Sequence, residues 1–392
     1  MKASYRDIDV RGRRVLVRED LNVPLHEGGI GDDTRIRAAV PTLRTLSERG
    51  ARVIVSSHLG RPRGARVPEL SLRPVGKRLA ELLGGNVGFA DDCVGAVAEA
   101  AAARLADGEV LLLENVRFHL GDEANDPGFA ARLAALGEIY VNDAFAASHR
   151  AHASVVGVAE LLPAYAGDLM LAELTALRQA LDMPRRPLIA IVGGAKVSTK
   201  AGVLRHLLAR VEALLVGGAM ATTFLKAEGR EVGASQVEEE ALEEARRVRA
   251  LGAGKLILPV DVVCARRPSA GEETRTVSVV AIEPGWMALD VGPRTRSAFA
   301  AVVGSAGTVV WNGPLGVFEV PGFGEGTRAV GEAVAASGAF SLLGGGDTAA
   351  AVDELGLGGC FSHVSTGGGA TLEYLEGREL PGVAVLRDAV AT

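Results

Sequence analysis

Val110-Leu111-Leu112-Leu113-Glu114-Asn115-Val116-Arg117-Phe118-His119 is an apolar run that stops at a polar turn and then delivers an arginine and a histidine. An unbroken apolar run of this length reads as a strand buried on both faces, as in a parallel sheet. The layout recurs. Ile139-Tyr140-Val141 leads to His149-Arg150-Ala151-His152, and Val53-Ile54-Val55 leads to His58-Leu59-Gly60-Arg61, with Arg35 upstream of all three. Cations at the C-terminal ends of parallel strands converge on one crevice. Guanidinium forks match phosphate and carboxylate, so the first half reads as the holder of a small anion.

Working outward, short β-branched runs alternate with helical patterns along the whole chain. The first half has strands at Val15–Val17, Val53–Val55, Val110–Leu113 and Ile139–Val141. Its helices lie near Ile36–Ser47, Pro74–Leu83, Val94–Leu105 and Phe129–Leu136, two of them capped by Asp33 and Ser71. The second half has strands at Leu188–Val192, Ala213–Val216, Leu256–Leu258, Thr308–Trp311 and Phe340–Leu343. Helices near Thr199–Leu208, Glu238–Leu251, Thr295–Val303, Gly326–Ala336 and Ala349–Leu355 separate or follow them. Such alternation predicts an α/β protein with mostly parallel sheets covered on both faces. Leu169–Leu181 has a helical apolar pattern that Pro184-Arg185-Arg186-Pro187 ends, so a joining helix and domain boundary fall between Gly167 and Pro187.

Composition sets the frame. With 392 residues, two domains are expected. Hydrophobic residues at 48% and charged residues at 23% supply an ordinary core and surface. A net charge of -6 argues against a nucleic-acid surface and makes the Arg/His clusters local. Cys93, Cys264 and Cys360 lack metal-ligand spacing and read as reduced thiols of a cytosolic protein. No apolar run reaches the ~18 residues of a membrane span, and Met1 to Arg14 lacks the apolar core of a signal peptide.

Glycine stands at 50 of 392 residues, and its placement in the second half matters. Gly193-Gly194-Ala195-Lys196-Val197-Ser198-Thr199-Lys200 follows a strand and opens a helix, where backbone N–H groups approach phosphates and two lysines add charge. It is not a P-loop, and a strand-to-helix turn with solvated lysines is an equal alternative. Gly344-Gly345-Gly346-Asp347-Thr348 makes an anion nest in which Asp347 either caps the helix or holds Mg²⁺. Trp311-Asn312-Gly313-Pro314-Leu315-Gly316-Val317-Phe318-Glu319 could seat an adenine, with Glu319 accepting from ribose hydroxyls; a core-packed loop is the plainer reading. Gly217-Gly218 and Gly367-Gly368-Gly369 complete five glycine turns in one half. In the first half, Asp20-Leu21-Asn22 ends a strand, either as a turn or as a substrate-binding cluster.

In sequence order, these residues resemble the phosphoglycerate kinase family along nearly the whole chain. The matching segments run from Asp20-Leu21-Asn22-Val23-Pro24 and Asp33-Thr34-Arg35-Ile36 through Ser57 to Pro62, Glu114 to Phe118, Val141 to Phe145 and His149 to His152. In the second half they are Gly193 to Ser198, Trp311 to Glu319, Gly344 to Thr348 and Ser365 to Gly369. The resemblance implies two doubly wound, Rossmann-like domains joined by a hinge helix. It places a phosphoglycerate-binding domain at 1–168, the hinge helix and linker at 169–186 and a nucleotide-binding domain at 187–379, with 380–392 packing back on the first.

It further implies that Asp20, Asn22, Arg35, His58, Arg61, Arg117 and Arg150 bind 3-phosphoglycerate or 1,3-bisphosphoglycerate. Lys196, Lys200, Gly217, Asn312, Pro314, Glu319, Gly344, Gly345, Gly346, Asp347 and Thr348 serve ADP or ATP, and Asp347 holds Mg²⁺. Arg35, Lys196, Gly345 and Gly368 act on the transferring phosphoryl group. A cytoplasmic monomer is expected, with no nucleic-acid or membrane partner. The chain departs from the family pattern at Ala146-Ala147-Ser148, at the hinge stretch Asp168 to Glu173 and at Thr199. Two rival readings are a dehydrogenase built on Gly344 to Ala349, which lacks the acidic residue about 20 positions on, and a paralogue that binds without turnover.

Overall fold

The computed structural model describes residues 1–26 and 29–389. Two compact units emerge: Met1–Leu174 together with the chain from Glu379 onward, and Thr175–Arg378 between them.

The first unit is built on six parallel strands. From edge to edge they are Val87–Ala90, Val110–Leu113, Arg52–Ser56, Arg14–Arg18, Ile139–Asn142 and Ala164–Ala166. Parallel register (Val15 beside both Val53 and Ile139) puts every C-terminal strand end on one edge. The helix Thr34–Glu48 buries Ile36, Ala39, Leu43 and Leu46, a three-to-four spacing that makes one apolar stripe. That stripe covers Val15, Val17, Val53 and Val55. The edge strands Val87–Ala90 and Ala164–Ala166 escape the sequence reading because they are short and rich in glycine and alanine.

Asp33 does not cap the helix that follows it. Its carboxylate accepts instead from Arg37 at 2.7 Å and Arg78 at 2.8 Å, which tie two helices together. Ser71 lies one residue before the N-cap Leu72, yet its Oγ accepts from Arg73 N at 3.2 Å.

The second unit carries its own six-stranded parallel sheet: Leu256–Ile257, Ala213–Val216, Leu188–Val192, Thr308–Asn312, Phe340–Gly344 and His363–Val364. Its first strand in the chain, Leu188–Val192, sits in the middle and the fourth, Thr308–Asn312, beside it. This is the doubly wound order whose switch point opens a crevice at the strand ends. An antiparallel sheet of Arg275–Ser278, Asp261–Ala265 and Met287–Val291 is inserted before the fourth strand and has its own core around Trp286. The sequence reading, set on βαβ alternation, passed over it.

The helix Asp168–Leu181 begins in one unit and ends in the other. Buried Asp143 accepts from Met170 N at 3.0 Å, and the Asp168 N–H donates to Thr42 Oγ1 at 3.2 Å, so its first turn is anchored in the first unit. The chain then returns to that unit. Asn142 Nδ2 donates to Gly382 O at 3.1 Å, Ala3 N to Arg387 O at 2.8 Å, and Lys2 pairs with Asp388 at 3.0 Å. Of the segment 380–392 expected to pack there, 390–392 lie outside the described residues.

Candidate functional site

In the first unit the strand ends gather most of the residues singled out above. Leaving Arg14–Arg18, the chain turns at Asp20, whose Oδ1 accepts from Asn22 N at 3.2 Å. Its Oδ2 accepts from Arg35 Nη1 at 2.9 Å, and Asn22 O accepts from the same nitrogen at 3.1 Å. Arg35 is therefore a held cation rather than a solvated helix residue. The next strand end is fastened to this one, since Gly60 N donates to Asn22 Oδ1 at 2.9 Å. Buried Arg117 in turn donates to Gly60 O at 2.8 Å. Asn115 orders that turn by accepting from Leu59 N and Arg117 N and donating to Leu59 O and Leu70 O.

His58 departs from its expected role. It is buried, and burial together with Arg18, Arg117 and Arg35 holds its pKa well below the ordinary imidazole value. Its Nδ1 lies 3.1 Å from Arg18 Nη2, and a guanidinium only donates, so Nδ1 is the bare nitrogen and Nε2 carries the proton. It offers a neutral N–H donor and not a positive charge. His152 is likewise pushed down, first by burial and then by Arg117, Arg18 and Arg150 against the pull of Asp122. Arg18, Arg35, Arg117 and Arg150 thus share one electropositive neighbourhood. Arg61 and Arg150 are exposed. Arg18 belongs to this cluster, and the sequence does not single it out. Fully buried at the end of the central strand, it donates to Ser154 Oγ at 3.1 Å and to Glu19 O. The only sequence signal is an arginine closing a β-branched run.

In the second unit the switch point is closed by backbone. Gly193 N donates to Asn312 O at 2.9 Å, Gly194 N to Pro314 O at 3.0 Å, and Lys200 Nζ to Gly193 O at 2.7 Å and Asn312 O at 3.2 Å. Burial pushes the Lys200 ammonium down to about 8, opposed by Asp347. Glu238, unnoticed in the sequence, accepts from Ser198 N at 2.9 Å and Ser198 Oγ, and so holds the turn carrying Lys196. Lys196 itself is exposed.

Beside this turn lies a cavity of about 380 Å³. Gly194, Gly218, Pro314, Glu319 and Asp347 line it, and Met287 to Leu289 of the inserted sheet form an apolar wall. Of the residues expected at the nucleotide, Lys196, Lys200, Gly217, Asn312, Gly344, Gly345, Gly346 and Thr348 do not line it. Asn312 Nδ2 donates to Gly344 O at 2.7 Å. Thr348 Oγ1 accepts from Gly313 N at 2.6 Å, and a Cβ on Gly217 would collide with Leu315. Asp347 is no cap: it stands exposed in the first turn of the helix Gly346–Glu354, whose N-cap is Gly345 at φ +97°. An exposed carboxylate on the wall of a glycine-lined cavity fits Mg²⁺, which takes one or two carboxylates and completes its shell with phosphate and water. Gly368, at φ +52°, opens the helix Gly369–Leu375.

Asp290 supports the cavity from the inserted sheet. Its Oδ2 accepts from Gly326 N at 2.8 Å and its Oδ1 from Val291 N at 2.8 Å. Burial pushes it up to about 7. An acid raised in the folded state contributes stability below its unfolded value near ~4 and loses it as pH rises through about 7. Asp290→Asn removes this titration. We expect wild-type stability, minus that of the variant, to fall by roughly 3 kcal/mol between pH 5 and pH 8. Trp286 and Trp311 are the only tryptophans and both lie in this unit, so urea unfolding followed by their fluorescence reads it. Parallel pH curves would remove Asp290 as the source.

The phosphoglycerate kinase family model matches residues 5–378. The phosphoglycerate kinase of Moorella thermoacetica is 53% identical over 390 residues, covering 99% of each chain. That of Rubrobacter xylanophilus is 56% identical over 385 residues, covering 98% of each. Among solved structures, phosphoglycerate kinase from Coxiella burnetii matches with a TM-score of 0.92 at 43% identity, and that from Pyrococcus horikoshii OT3 with 0.85 at 32%. Each alignment covers 98% of both chains.

Proposed function

This chain belongs to the phosphoglycerate kinase family, and from that premise we propose how its residues divide the work. The reaction is reversible phosphoryl transfer from 1,3-bisphosphoglycerate to ADP, giving 3-phosphoglycerate and ATP. The first unit holds the phosphoglycerate with Arg35, Arg61, Arg117 and Arg150 as cations, His58 as a neutral donor, and Asp20 and Asn22 as hydrogen-bonding groups. The second unit seats the nucleotide in the cavity walled by Met287 to Leu289, with Glu319 toward the ribose. Lys196, Lys200 and the turn Gly344 to Thr348 take the phosphates. Asp347 is the residue that would hold Mg²⁺, which when bound with nucleotide offsets phosphate charge. The carrying observation is the pairing of an arginine-edged strand crevice in one unit with a glycine-edged switch-point cavity in the other.

In the ATP-consuming direction the attacking group is a carboxylate. Its pKa near ~4 leaves it ionised at neutral pH, so no general base is assigned. Catalysis then rests on alignment and charge. Arg35 and Lys196, one from each unit, clamp the moving phosphoryl group, and backbone N–H groups near Gly345 and Gly368 add donors. Closure about the helix Asp168–Leu181 keeps water from it. The enzyme works as a monomer in the cytoplasm. With 3-phosphoglycerate and Mg-ATP, a coupled assay for 1,3-bisphosphoglycerate should show turnover that requires both substrates. Nucleotide binding without product would overturn the catalytic reading.

A further inference from the structure

Among the described residues outside those assigned above, one cluster combines sulfur, nitrogen and oxygen donors. The strands Val87–Ala90 and Val110–Leu113 are neighbours, with Ala90 beside Leu113. That register brings the loop after the first strand against the turn after the second. Cys93 Sγ, His119 Nε2 and an Asp92 carboxylate oxygen meet there, all within 4.8 Å of one another. His119 Nε2 lies 2.7 Å from Asp92 Oδ1, which also accepts from Cys93 N at 2.7 Å. The His119 ring packs on Phe129 at 5.4 Å, which limits its rotamers. Cys93 is fully buried, whereas the Asp92 and His119 side chains are about one-third exposed and leave a way in.

We propose that Asp92, Cys93 and His119 bind a thiophilic divalent cation of the Zn²⁺ class, on the first unit and apart from the nucleotide's Mg²⁺. The donor set decides the class. Thiolate, imidazole and carboxylate together suit Zn²⁺, while Mg²⁺ and Ca²⁺ take oxygen ligands. Three protein ligands leave a fourth position to water. Donors around tetrahedral Zn²⁺ stand roughly 3.3–3.8 Å apart. The His119–Asp92 pair would therefore open slightly, and the widest separation close by about an ångström.

Charge favours occupancy as well. The carboxylates of Asp92, Asp122 and Glu114 all act electrostatically on Cys93, and negative charge around the donor set favours a cation there. Binding forms a Zn–S bond and breaks the S–H bond, and the proton leaves to solvent, so affinity rises with pH. The bound ion would cross-link the loop after Ala90 to the turn that carries Arg117.

Co²⁺ titration of the full chain tests this, in a Cys360→Ser background that removes the exposed thiol. One equivalent should bind with a near-ultraviolet thiolate-to-cobalt band and a strong tetrahedral visible band, and Zn²⁺ should displace it. Cys93→Ser should abolish the ultraviolet band, and His119→Gln should weaken affinity at least about tenfold. Circular dichroism checks that each variant is folded, and His119→Gln serves alone if the cysteine variant is not. No band at about 100 µM Co²⁺ with folded protein, or a band indifferent to both substitutions, would overturn the site.

Discussion

Arg35→Ala is expected to lower kcat at least about a hundredfold while the Kd for ADP stays within about twofold. Both described side-chain hydrogen bonds of Arg35 use Nη1, one to Asp20 Oδ2 and one to Asn22 O. The Nη1 end of the guanidinium is thereby held, and its remaining N–H groups can serve a phosphoryl oxygen. Losing one donor aimed at transition-state charge typically costs about 3–4 kcal/mol. The Asp20 pair is partly exposed, so its own loss should cost stability about 1 kcal/mol or less. Steady-state kinetics and ADP calorimetry on the same preparation separate the two effects. Arg35→Lys keeps charge but loses the fork and should recover only part of the rate. Near-normal turnover of Arg35→Ala would remove it from the chemistry.

The second large effect belongs to Gly193. A Cβ there would overlap the carbonyl oxygens of Pro314 and Gly313, which are backbone and cannot rotate aside. The same residue donates to Asn312 O and accepts from Lys200 Nζ. Making room means parting the two central strand ends of the second unit. Gly193→Ala should therefore destabilise that unit by about 3 kcal/mol and weaken ADP binding at least about tenfold. Gly304→Ala is the control, since nothing lies within 4 Å of a Cβ built there. Tryptophan fluorescence during urea unfolding and ADP calorimetry report the outcomes. Equal behaviour of the two variants would contradict the close approach at Gly193.

Much of the fold is written in local pattern. Val15–Val17, Val53–Val55 and Ile189–Val192 are β-branched runs buried on both faces, and the helices between them carry one apolar stripe each. What stayed hidden depends on distant partners. The strand Asp261–Ala265 pairs antiparallel with Arg275–Ser278 and Met287–Val291, and nothing local distinguishes that from another βαβ step. The site was legible as residue types but not as electrical states. His58 looks like a cation until burial beside Arg18 makes it neutral. Asp33 looks like a cap until Arg37 and Arg78 claim it. Asp92, Cys93 and His119 meet only through the register of two strands, so no spacing rule could join them.

Because Lys2 pairs with Asp388 and Asn142 holds Gly382, the first unit is stitched together from segments far apart in the sequence. On the ribosome, the segment Thr175–Arg378 has all its own strands before the closing stitches of its predecessor emerge. The unit begun first is thus finished last, and a nascent chain halted just short of Glu379 would carry a complete second unit and an unsealed first one.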